Sequence, residues 1–374
     1  PSISQQPLFV SGQDGYHTYR IPSLIVAPDG SLLAFCEGRR NAQSDTGDID
    51  LLMRKSIDSG ETWTDQTIVA EDGPNTLGNP CPVVDRDTGI IWLFTTHNLG
   101  EDRERMIRKG ESKGTRTVRL FKSTDNGDSW TQVAVDQTSI KRNGWGWYAT
   151  GPGCGIQTQS GRLIIPCDHS VIDGDIFRSH VIYSDDHGDT WRLGGPLGDK
   201  TNECQIVELS DGRLLLNMRS YAGEHCRAVA TSDDEGDTWS AVRLDKTLVE
   251  PVCQAALISL KRTHHRRNPL LFSNPASEDR VKMTVRVSYD DGETWPIKKL
   301  LHEGPSAYSA LAELPDGTIV CLYERGDKHP YEKITLARFN WRWLTYKKPD
   351  AVDRRGPTAP FAFSRSMRRF RCRY

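Results

Sequence analysis

Residues 56–63, Ser-Ile-Asp-Ser-Gly-Glu-Thr-Trp, decide the fold because their pattern, Ser-x-Asp-x-Gly-x-(Ser/Thr)-Trp, occurs five times along the chain. The other four copies begin at Ser123, Ser184, Ser232 and Ser288. Successive copies start 67, 61, 48 and 56 residues apart. Their mean spacing of 58 residues is the length of one four-stranded antiparallel sheet with its turns. Each copy therefore marks one unit of a repeated β structure.

The residue types in the pattern indicate a structural turn. Asp can accept hydrogen bonds from the turn backbone, Gly can adopt a positive φ, and Trp can anchor the hairpin in apolar packing. The alternative is that the repeated Asp residues bind calcium or a substrate. It is disfavoured because the spacing lacks the additional ligands of a calcium loop.

Chain length and spacing together predict an all-β fold. Dividing 374 residues by the mean spacing gives about 6.4 units. We therefore predict a six-bladed β-propeller of four-stranded antiparallel sheets over residues 1–345, with one blade lacking a marker. Residues 346–374 are predicted to form a tail outside this fold. Short apolar runs between Gly/Asp turns, such as residues 32–35 and 163–166, are typical of buried strands.

Charge is unevenly distributed along the chain. The formal net charge is −2, but residues 346–374 carry nine Lys/Arg against two Asp, which leaves the rest near −9. The acidic body offers no basic surface for nucleic acid. The tail could contact nucleic acid or a membrane, although an extension outside the fold is the favoured interpretation. The basic clusters at residues 103–113 and 264–267 are interpreted as solvated loops.

Cysteine and histidine usage argues against a metal centre. The nine cysteines show no Cys-x-x-Cys and no paired spacing, so buried, reduced thiols are expected. The ten histidines show no ligand-like arrangement, so no metal and no cofactor is expected. No membrane span is recognisable, and a monomer is expected. Cell location stays open: secreted or periplasmic if a leader was removed, and otherwise cytoplasmic.

Charged residues within apolar, strand-like segments are the candidates for function, since chemistry in a propeller lies where the inner strands converge. Any one of them alone could form a rim salt bridge. Three strand-embedded arginines in different blades, however, indicate convergence on one anion. The candidates are Arg20, Glu37, Arg39, Asp45, Glu203, Arg219, Arg280, Tyr308 and Glu324.

The chain resembles the sialidase (neuraminidase) family of six-bladed propellers over roughly residues 8–345. Both the order and the context of the family's motifs match. The matching segments are Tyr19-Arg20-Ile21-Pro22, the five repeated boxes, Gly38-Arg39 followed by Asp45, Gly151-Pro152-Gly153, Asn202-Glu203-Cys204-Gln205, Arg280, Ser306-Ala307-Tyr308-Ser309 and Leu322-Tyr323-Glu324.

The resemblance implies a role for each matching position. It gives an arginine triad at Arg20, Arg219 and Arg280, an acid/base at Asp45, a nucleophile at Tyr308 with its partner at Glu203, and at Glu324 a carboxylate that supports the first arginine. Two further substrate contacts are implied, at Arg39 and Asn79. Arg39 rather than Arg40 matches because it lies six residues before Asp45. The aromatic stretch at residues 145–148 could either wall the substrate pocket or pack within a loop.

The implied roles agree with the chemistry of sialic acid. Its anomeric carbon carries a carboxylate, and guanidinium groups bind carboxylates bidentately at any ordinary pH. A carboxylate nucleophile would be repelled by that charge, whereas a neutral phenol is not, and sialidases are the tyrosine exception among glycosidases. Free Tyr titrates at about 10, so Tyr308 needs a base, and Glu203 is the candidate. Asp45 must be protonated to act as the acid, and exclusion of water could raise its pKa.

The expected function is therefore a metal-independent, retaining exo-α-sialidase. Its substrates would be sialylated glycans: oligosaccharides, glycoproteins and glycolipids with terminal α-linked sialic acid. One alternative is a trans-sialidase, including the intramolecular type that releases an anhydro sugar. A less favoured alternative is a non-catalytic propeller that binds glycans or proteins, which would predict loss of catalytic residues.

Overall fold

The structure is a computed structural model that describes residues 3–172, 174–261 and 268–346. These residues form 24 strands and three short helices, so the predicted all-β class is confirmed. The helices are α1 (Glu104–Lys109), α2 (Gln137–Ile140) and α3 (Trp341–Thr345). No helix in these ranges is long and apolar enough to cross a membrane. The cluster at 264–267 and nearly all of the predicted tail lie outside the described residues.

The first sheet has eight strands and follows the order β2-β3-β4-β6-β7-β8-β9, with β5 paired to β4. Strands β4 and β6 meet through one parallel pair, Ile49 with Thr76, whereas the other pairings are antiparallel. The sheet therefore consists of two antiparallel runs of four strands. Its strands are β2 (Thr18–Val26), β3 (Leu32–Arg39), β4 (Ile49–Ser56), β5 (Thr67–Ala70), β6 (Thr76–Val84), β7 (Ile91–Asn98), β8 (Thr117–Ser123) and β9 (Thr131–Val133).

Two smaller antiparallel sheets follow in the chain. The five-stranded sheet has the order β10-β12-β13-β14, and β11 extends the same edge of β12 as β10. Its strands are β10 (Trp145–Thr150), β11 (Ile156–Gln157), β12 (Leu163–Val171), β13 (Phe177–Ser184) and β14 (Arg192–Leu193). The four-stranded sheet contains β15 (Thr201–Glu208), β16 (Leu214–Ser220), β17 (Cys226–Ser232) and β18 (Arg243–Val249) in sequence order.

The last sheet has seven strands and joins both ends of the described chain. Strand β1 pairs with β24, so the first strand completes the sheet of the last. The 17-residue strand β22 pairs with β21 up to Pro305 and with β23 from Ser306 onward. Its strands are β1 (Ser4–Val10), β19 (Ala256–Ser259), β20 (Leu270–Pro275), β21 (Val281–Ser288), β22 (Ile297–Glu313), β23 (Ile319–Arg325) and β24 (Lys333–Phe339).

All five repeated boxes form the same turn, as the first copy illustrates. The box begins with the last residue of β4, Ser56, whose Oγ accepts a hydrogen bond from the N–H of Gly60 at 2.9 Å. Asp58 accepts the Thr62 N–H at 2.8 Å and the Thr62 hydroxyl at 2.5 Å. The five box glycines have φ between +80° and +96°, where a side chain is strained. The structural interpretation of the pattern is therefore confirmed.

The first strands of successive antiparallel runs pack against one another in a circuit, and in the third run the second strand, β12, takes part as well. Strand β2 packs on β6, β6 on β11 and β12, β12 on β15, β15 on β19, β19 on β22, and β22 on β2. Apolar side chains of adjacent runs fill the space between them in several buried clusters. Arg20 and Glu203 are each the third residue of such an inner strand. The polar candidates are thereby carried to one end of the inner strands.

Candidate active site

A cavity of about 240 Å³ lies at this end of the inner strands, and its lining includes eight of the nine residues to which the family resemblance assigns a role, together with the candidate Glu37. The ninth, Glu324, is fully buried directly behind it. The structure thus brings residues from seven strands or strand ends into one site. The predicted residues in its lining are Arg20, Arg39, Asp45, Asn79, Glu203, Arg219, Arg280 and Tyr308.

Glu324 joins the first arginine to the strand that carries the tyrosine. Its Oε1 accepts hydrogen bonds from Arg20 Nε at 2.8 Å and from the Ile21 N–H at 2.9 Å. Its Oε2 accepts the N–H of Tyr308 at 3.0 Å. Burial lowers the pKa of Arg20, but the Glu324 carboxylate together with Tyr331, Tyr308 and Asp45 raises it more, so the net shift is upward and the charge is permanent. Arg20 is therefore fixed in place as a cation.

Tyr308 and Glu203 form a direct hydrogen-bonded pair. The Tyr308 hydroxyl lies 2.6 Å from Oε1 and 2.8 Å from Oε2 of Glu203. Arg219 Nη1 donates to both groups, at 2.8 Å to Glu203 Oε2 and 3.2 Å to the phenol oxygen. Burial and the Glu203 charge raise the pKa of Tyr308 well above its usual value. The phenol is thus neutral, and its proton is directed at a carboxylate.

Arg280 completes the group of cations around the tyrosine. It lies just before β21, and its guanidinium carbon is 5.7 Å from the centre of the Tyr308 ring. Its Nη1 donates a hydrogen bond to the hydroxyl of Tyr331. The ring of Tyr331 in turn stacks on Arg20, with 3.8 Å between guanidinium carbon and ring centre. Tyr331 therefore lies between Arg20 and Arg280 and contacts both, a role that was not predicted from the sequence.

Asp45 lies at the mouth of the cavity, on the loop between β3 and β4. Its side chain is 57 % exposed, and its Oδ1 is 2.8 Å from Arg39 Nη2 and 3.8 Å from Arg20 Nη1. Burial raises the pKa of Asp45, but the charges of Arg39 and Arg20 lower it more, so the net shift is below 3.8. Without substrate, Asp45 is thus ionised, and the raised pKa expected of an acid must come from binding.

The adjacent arginines 39 and 40 face different surroundings. Arg39 is 2 % exposed, lines the cavity and pairs with Glu37 at 2.7 Å. Arg40 is half-buried outside the cavity lining and pairs with Asp50 at 2.6 Å. The structure therefore places the side chain of Arg39, and not that of Arg40, in the site.

Asn79 is held by its neighbours. Its backbone N–H donates to Glu37 at 2.9 Å, and its Oδ1 accepts hydrogen bonds from Arg116 at 2.6 Å and Thr96 at 3.1 Å. Its φ of +53° lies in the left-handed region, which asparagine tolerates better than most residues. The amide oxygen of Asn79 is therefore already engaged by protein.

The cavity also contains residues that the sequence analysis did not select. Asp168 lies in the apolar strand β12, so the rule used for the other candidates would have found it. Arg116 was not selected because it follows the basic stretch at 103–113 in the sequence. That stretch was interpreted as a solvated loop, which is wrong in part, because it contains α1 and places Glu104 in the cavity. The remaining missed lining residues include Trp147, Phe177, Asn202, Tyr221 and Tyr331.

Asp168 is a buried carboxyl next to the Tyr308–Glu203 pair. It is 1 % exposed, and Asn202 donates to its Oδ1 at 2.7 Å. Its Oδ2 has no hydrogen-bond partner. Burial, followed by the charge of Glu203, raises its pKa well above the usual value. The surroundings of Asp168 therefore favour its protonated form.

The candidate metal ligands and the cysteines among the described residues do not line this cavity. Among the described residues, Asp85, Asp87 and His187 form one group that could hold a cation, with ligand atoms within 4.8 Å of one another. The Asp85 carboxylate there already accepts hydrogen bonds from Thr88 and Gln157. The eight described cysteines are all unpaired thiols, and seven are buried, as expected from the sequence.

The sequence matches the family model of the BNR repeat-like domain over residues 30–321. A sialidase from Micromonospora viridifaciens is 37 % identical over 366 residues, which cover 92 % of this chain and 55 % of that protein. Human Sialidase-3 is 31 % identical over 399 residues, which cover 90 % of this chain and 92 % of that protein. The solved structure of Hadza microbial sialidase Hz136 superimposes with a TM-score of 0.83 at 32 % identity. The superposition covers 91 % of this chain and 69 % of that one.

The family match identifies the chain as a protein that contains BNR-type repeats. The chain belongs to the sialidase family. It spans 55 % and 62 % of the length of two bacterial sialidases that it matches, from Micromonospora viridifaciens and Bacteroides fragilis. The structure of the intramolecular trans-sialidase of Ruminococcus gnavus superimposes with a TM-score of 0.77 at 19 % identity, over 91 % of this chain and 98 % of that one. At this identity the similarity shows only a common fold.

Proposed function

We propose that the chain is a retaining exo-α-sialidase acting on terminal α-linked sialic acid of oligosaccharides, glycoproteins and glycolipids. One observation carries the proposal: three arginines from different strands surround a hydrogen-bonded Tyr–Glu pair in a single cavity, with an aspartate at its mouth. The names of the relatives support the same activity.

Substrate binding would begin at the carboxylate of the sugar. Arg20, Arg219 and Arg280 present permanent positive charge, because guanidinium groups stay protonated at every ordinary pH. Glu324 and Tyr331 hold two of them in place through the contacts described above. With the carboxylate on this triad, the anomeric carbon would lie next to the Tyr308 hydroxyl.

In the first half-reaction, Tyr308 Oη attacks the anomeric carbon and its proton passes to Glu203. The bond from that carbon to the leaving glycosidic oxygen breaks, and Asp45 gives this oxygen a proton. The direct hydrogen bond at 2.6 Å supplies the path for the phenol proton. The product is an aryl ketoside in which the anomeric carbon is bonded to the tyrosine oxygen. No net charge is created, because Glu203 gains one proton and Asp45 loses one.

In the second half-reaction, water replaces the released alcohol. Asp45, now ionised, takes a proton from the water, whose oxygen attacks the anomeric carbon from the side opposite Tyr308. The bond to the tyrosine breaks, and Glu203 returns the proton to the phenol. Two inversions at one carbon release α-sialic acid, so the reaction retains configuration.

The ion pairs of Asp45 explain how it would gain its first proton. In the absence of substrate, Arg39 and Arg20 hold the pKa of Asp45 below its usual value, although burial alone would raise it. A substrate carboxylate on Arg20 offsets part of that positive charge and excludes water from the mouth. Both changes favour the protonated form. Binding itself would therefore convert Asp45 into the acid.

We also propose that the inner-strand circuit is the axis of a closed six-bladed propeller over residues 1–345, with residues 346–374 outside the catalytic fold. Two facts support this arrangement. When β22 is divided at its change of partner, the antiparallel runs number six: five of four strands, and one of five in which β10 and β11 share an edge of β12. A second cavity, of about 600 Å³, is lined by Leu24, Ile206 and Leu311, further along the same inner strands.

A trans-sialidase is the second candidate, because transferases of this fold use the same groups. Structures titled as intramolecular trans-sialidases, from Ruminococcus gnavus and from leech, share the fold at 19 % identity. The relatives at or above 30 % identity are named sialidases, which favours the hydrolase.

Time-resolved proton NMR of the chain with α2-3-sialyllactose tests the proposal, run with and without a chelator. The expected first product is α-sialic acid, at a rate that the chelator does not change. An anhydro or transferred sugar would make the chain a transferase. No turnover of any of several sialosides would overturn the proposed activity.

A further inference from the structure

A separate cavity of about 570 Å³ lies beside the active site, between the start of β8, the end of α2 and the start of β10. We call it the β8–β10 cavity. None of its described lining residues lines the active-site cavity. Residue 116 separates the two, because the side chain of Arg116 lines the active site, whereas its backbone carbonyl accepts a hydrogen bond from Lys141 of the β8–β10 cavity. The mechanism proposed above uses no residue of this second space.

Positive charge in the β8–β10 cavity has no counterion. Its described lining residues include two cations, Lys141 and Arg142, and no carboxylate. Neither cation forms an ion pair within the part of the chain that the structure describes. The nearest carboxylate in the sequence, Asp136, is the N-cap of α2, accepts the Thr138 N–H at 2.9 Å and does not line the cavity. An anionic ligand would therefore meet attraction from this wall and no repulsion.

The ammonium group of Lys141 is held in place with one donor to spare. Its Nζ donates to Thr115 Oγ1 at 2.5 Å and to the carbonyl oxygen of Arg116 at 2.6 Å. An ammonium group has three N–H donors, so one has no partner among the described residues. Burial, followed by the charge of Arg116, lowers the pKa of Lys141 to about 8, so the group is still mostly protonated near neutral pH. A bound anion would use the third donor and offset the cost of burying the charge.

An aromatic ring lies beside these cations. Trp145 lines the cavity, and its ring stacks on that of His169, with 3.4 Å between the ring centres and 8° between the planes. This stacking fixes the orientation of the indole. The part of the ring that lines the cavity is apolar surface, against which C–H groups of a ligand, such as those of a pyranose ring, can pack.

We propose that the β8–β10 cavity is a second sugar-binding site, which takes an acidic sugar with its anionic group on Lys141 and Arg142 and its ring against Trp145. A bare anion would leave the aromatic ring unused, and a neutral sugar would leave the cations unused. Two kinds of sugar share the required chemistry: those with a carboxylate, such as sialic acid, and those with a sulfate ester. The inference goes beyond the proposed sialidase activity and does not rest on it.

Fluorine NMR of the chain labelled with 5-fluorotryptophan observes the ring directly. The resonances of Trp145 and Trp147 are identified by their absence from Trp145→Phe and Trp147→Phe. Three probes are titrated: the methyl α-thioglycoside of N-acetylneuraminic acid, which resists hydrolysis, methyl β-galactoside 3-sulfate, and neutral methyl β-galactoside. A saturable shift of the Trp145 resonance is expected with at least one acidic sugar and not with the neutral one.

Each outcome of the titration has a definite meaning. A response to the sulfate alone identifies sulfated sugars as the ligand, and a response to the thioglycoside alone identifies sialylated ones. No response to either acidic sugar, or an equal response to the neutral sugar, would overturn the inference. Trp147 lines the active site, so a shift of its resonance alone would report binding there and not in the β8–β10 cavity, which would also overturn the inference.

The second test removes the buried cation. Lys141→Met is expected to raise the Kd of the acidic sugar about 10- to 100-fold, the range for a lost charged hydrogen bond. The matched control is Lys122→Met, since Lys122 is a half-buried lysine of β8 that lies 5.9 Å from the ring centre of Trp92 and does not line the cavity. Its Kd should equal that of the unaltered chain. An unchanged Kd in Lys141→Met would contradict the inference, because the shift of Trp145 would then arise from binding elsewhere.

The other fluorotryptophan resonances show whether Lys141→Met is folded. If it is not, the same titration is made with Arg142→Gln, because Arg142 is exposed and its replacement leaves the packing intact. Loss of an exposed charge predicts a Kd about 2- to 5-fold higher. An unchanged Kd in Arg142→Gln would then overturn the inference.

Discussion

The box turns and the active-site cavity both contain polar side chains, but they differ in how their hydrogen bonds are completed. In the third box, Asp186 accepts the Ser184 hydroxyl at 2.7 Å, the Thr190 N–H at 2.8 Å and the Thr190 hydroxyl at 2.5 Å. In the cavity, donors of Arg116 and an oxygen of Asp168 have no partner.

The box turns therefore contribute to the stability of the fold, whereas the cavity contributes to function. A box turn satisfies its carboxylate within eight residues, so the same sequence can be repeated wherever a hairpin needs the turn. The cavity instead assembles groups from distant strands and leaves part of their hydrogen-bonding capacity open. Substitutions in the two regions should therefore affect different observables.

The largest effect is expected from Tyr308→Phe, which removes only the nucleophilic oxygen. Turnover of sialyllactose should fall on the order of 10³-fold or more, because the covalent route is lost, while binding of sialic acid is preserved. Isothermal calorimetry and initial rates measure the two quantities. The control is Tyr323→Phe, whose buried hydroxyl bonds Gln5 at 2.6 Å outside the cavity lining and which should keep its turnover. Normal turnover of Tyr308→Phe would sink the nucleophile assignment.

A smaller effect is expected from Arg280→Ala, which removes one donor to the substrate carboxylate. The KM for sialyllactose should rise about 10- to 100-fold with a lesser change in kcat, the range for a lost charged hydrogen bond. Steady-state kinetics provides both constants. A large fall in kcat at unchanged KM would mean that Arg280 acts on the transition state and not on binding.

The pH dependence of the rate sharpens the assignment of Asp45. Its pKa lies below 3.8 in the free protein, because Arg39 and Arg20 outweigh the upward effect of burial. If substrate binding raises this pKa, the acid form persists to higher pH in the complex. The alkaline limb of kcat should then lie about one pH unit or more above that of kcat/KM. Coincident limbs would show that binding does not shift Asp45.

The smallest effect on activity is expected from Asp186→Ala in the third box. The turn loses its three hydrogen bonds, and the stability of the fold should fall by roughly 1–2 kcal/mol, as for a lost helix cap. Urea denaturation measures the loss. Because the turn lies outside the cavity, kcat/KM at a temperature where the variant is folded should stay within about 2-fold of the unaltered chain. A large loss of kcat/KM would contradict the claim that the box turns affect stability and not activity.

Much of the fold could be predicted because its signals are local. Each box specifies a turn within eight residues, and the short apolar runs, such as residues 32–35, lie in buried strands. The repeat spacing could not reveal that β22 would run unbroken through 17 residues and pair with two neighbours. The strand changes partner from β21 to β23 between Pro305 and Ser306, and both partners lie distant from that point in the sequence.

The site was predictable only where a charge interrupts an apolar strand or a family motif matches. Arg20, Glu203 and Tyr308 met that condition, and the structure places all three in one cavity. Arg116 did not, because lysine and arginine residues surround it in the sequence and its burial arises from Trp147, 31 positions later. Which of several basic residues becomes buried is decided by contacts between strands, and no local pattern records them.

The most direct test of the central claim is to trap the glycosyl-enzyme. A 3-fluorosialosyl fluoride reacts at the anomeric carbon, and its second fluorine slows release, so intact-mass spectrometry and peptide mapping can locate the adduct. We expect one fluorosialyl group per chain, attached to Tyr308 and absent from Tyr308→Phe. An adduct on Glu203 or Asp45, or no adduct on a chain that hydrolyses sialyllactose, would contradict the proposed mechanism.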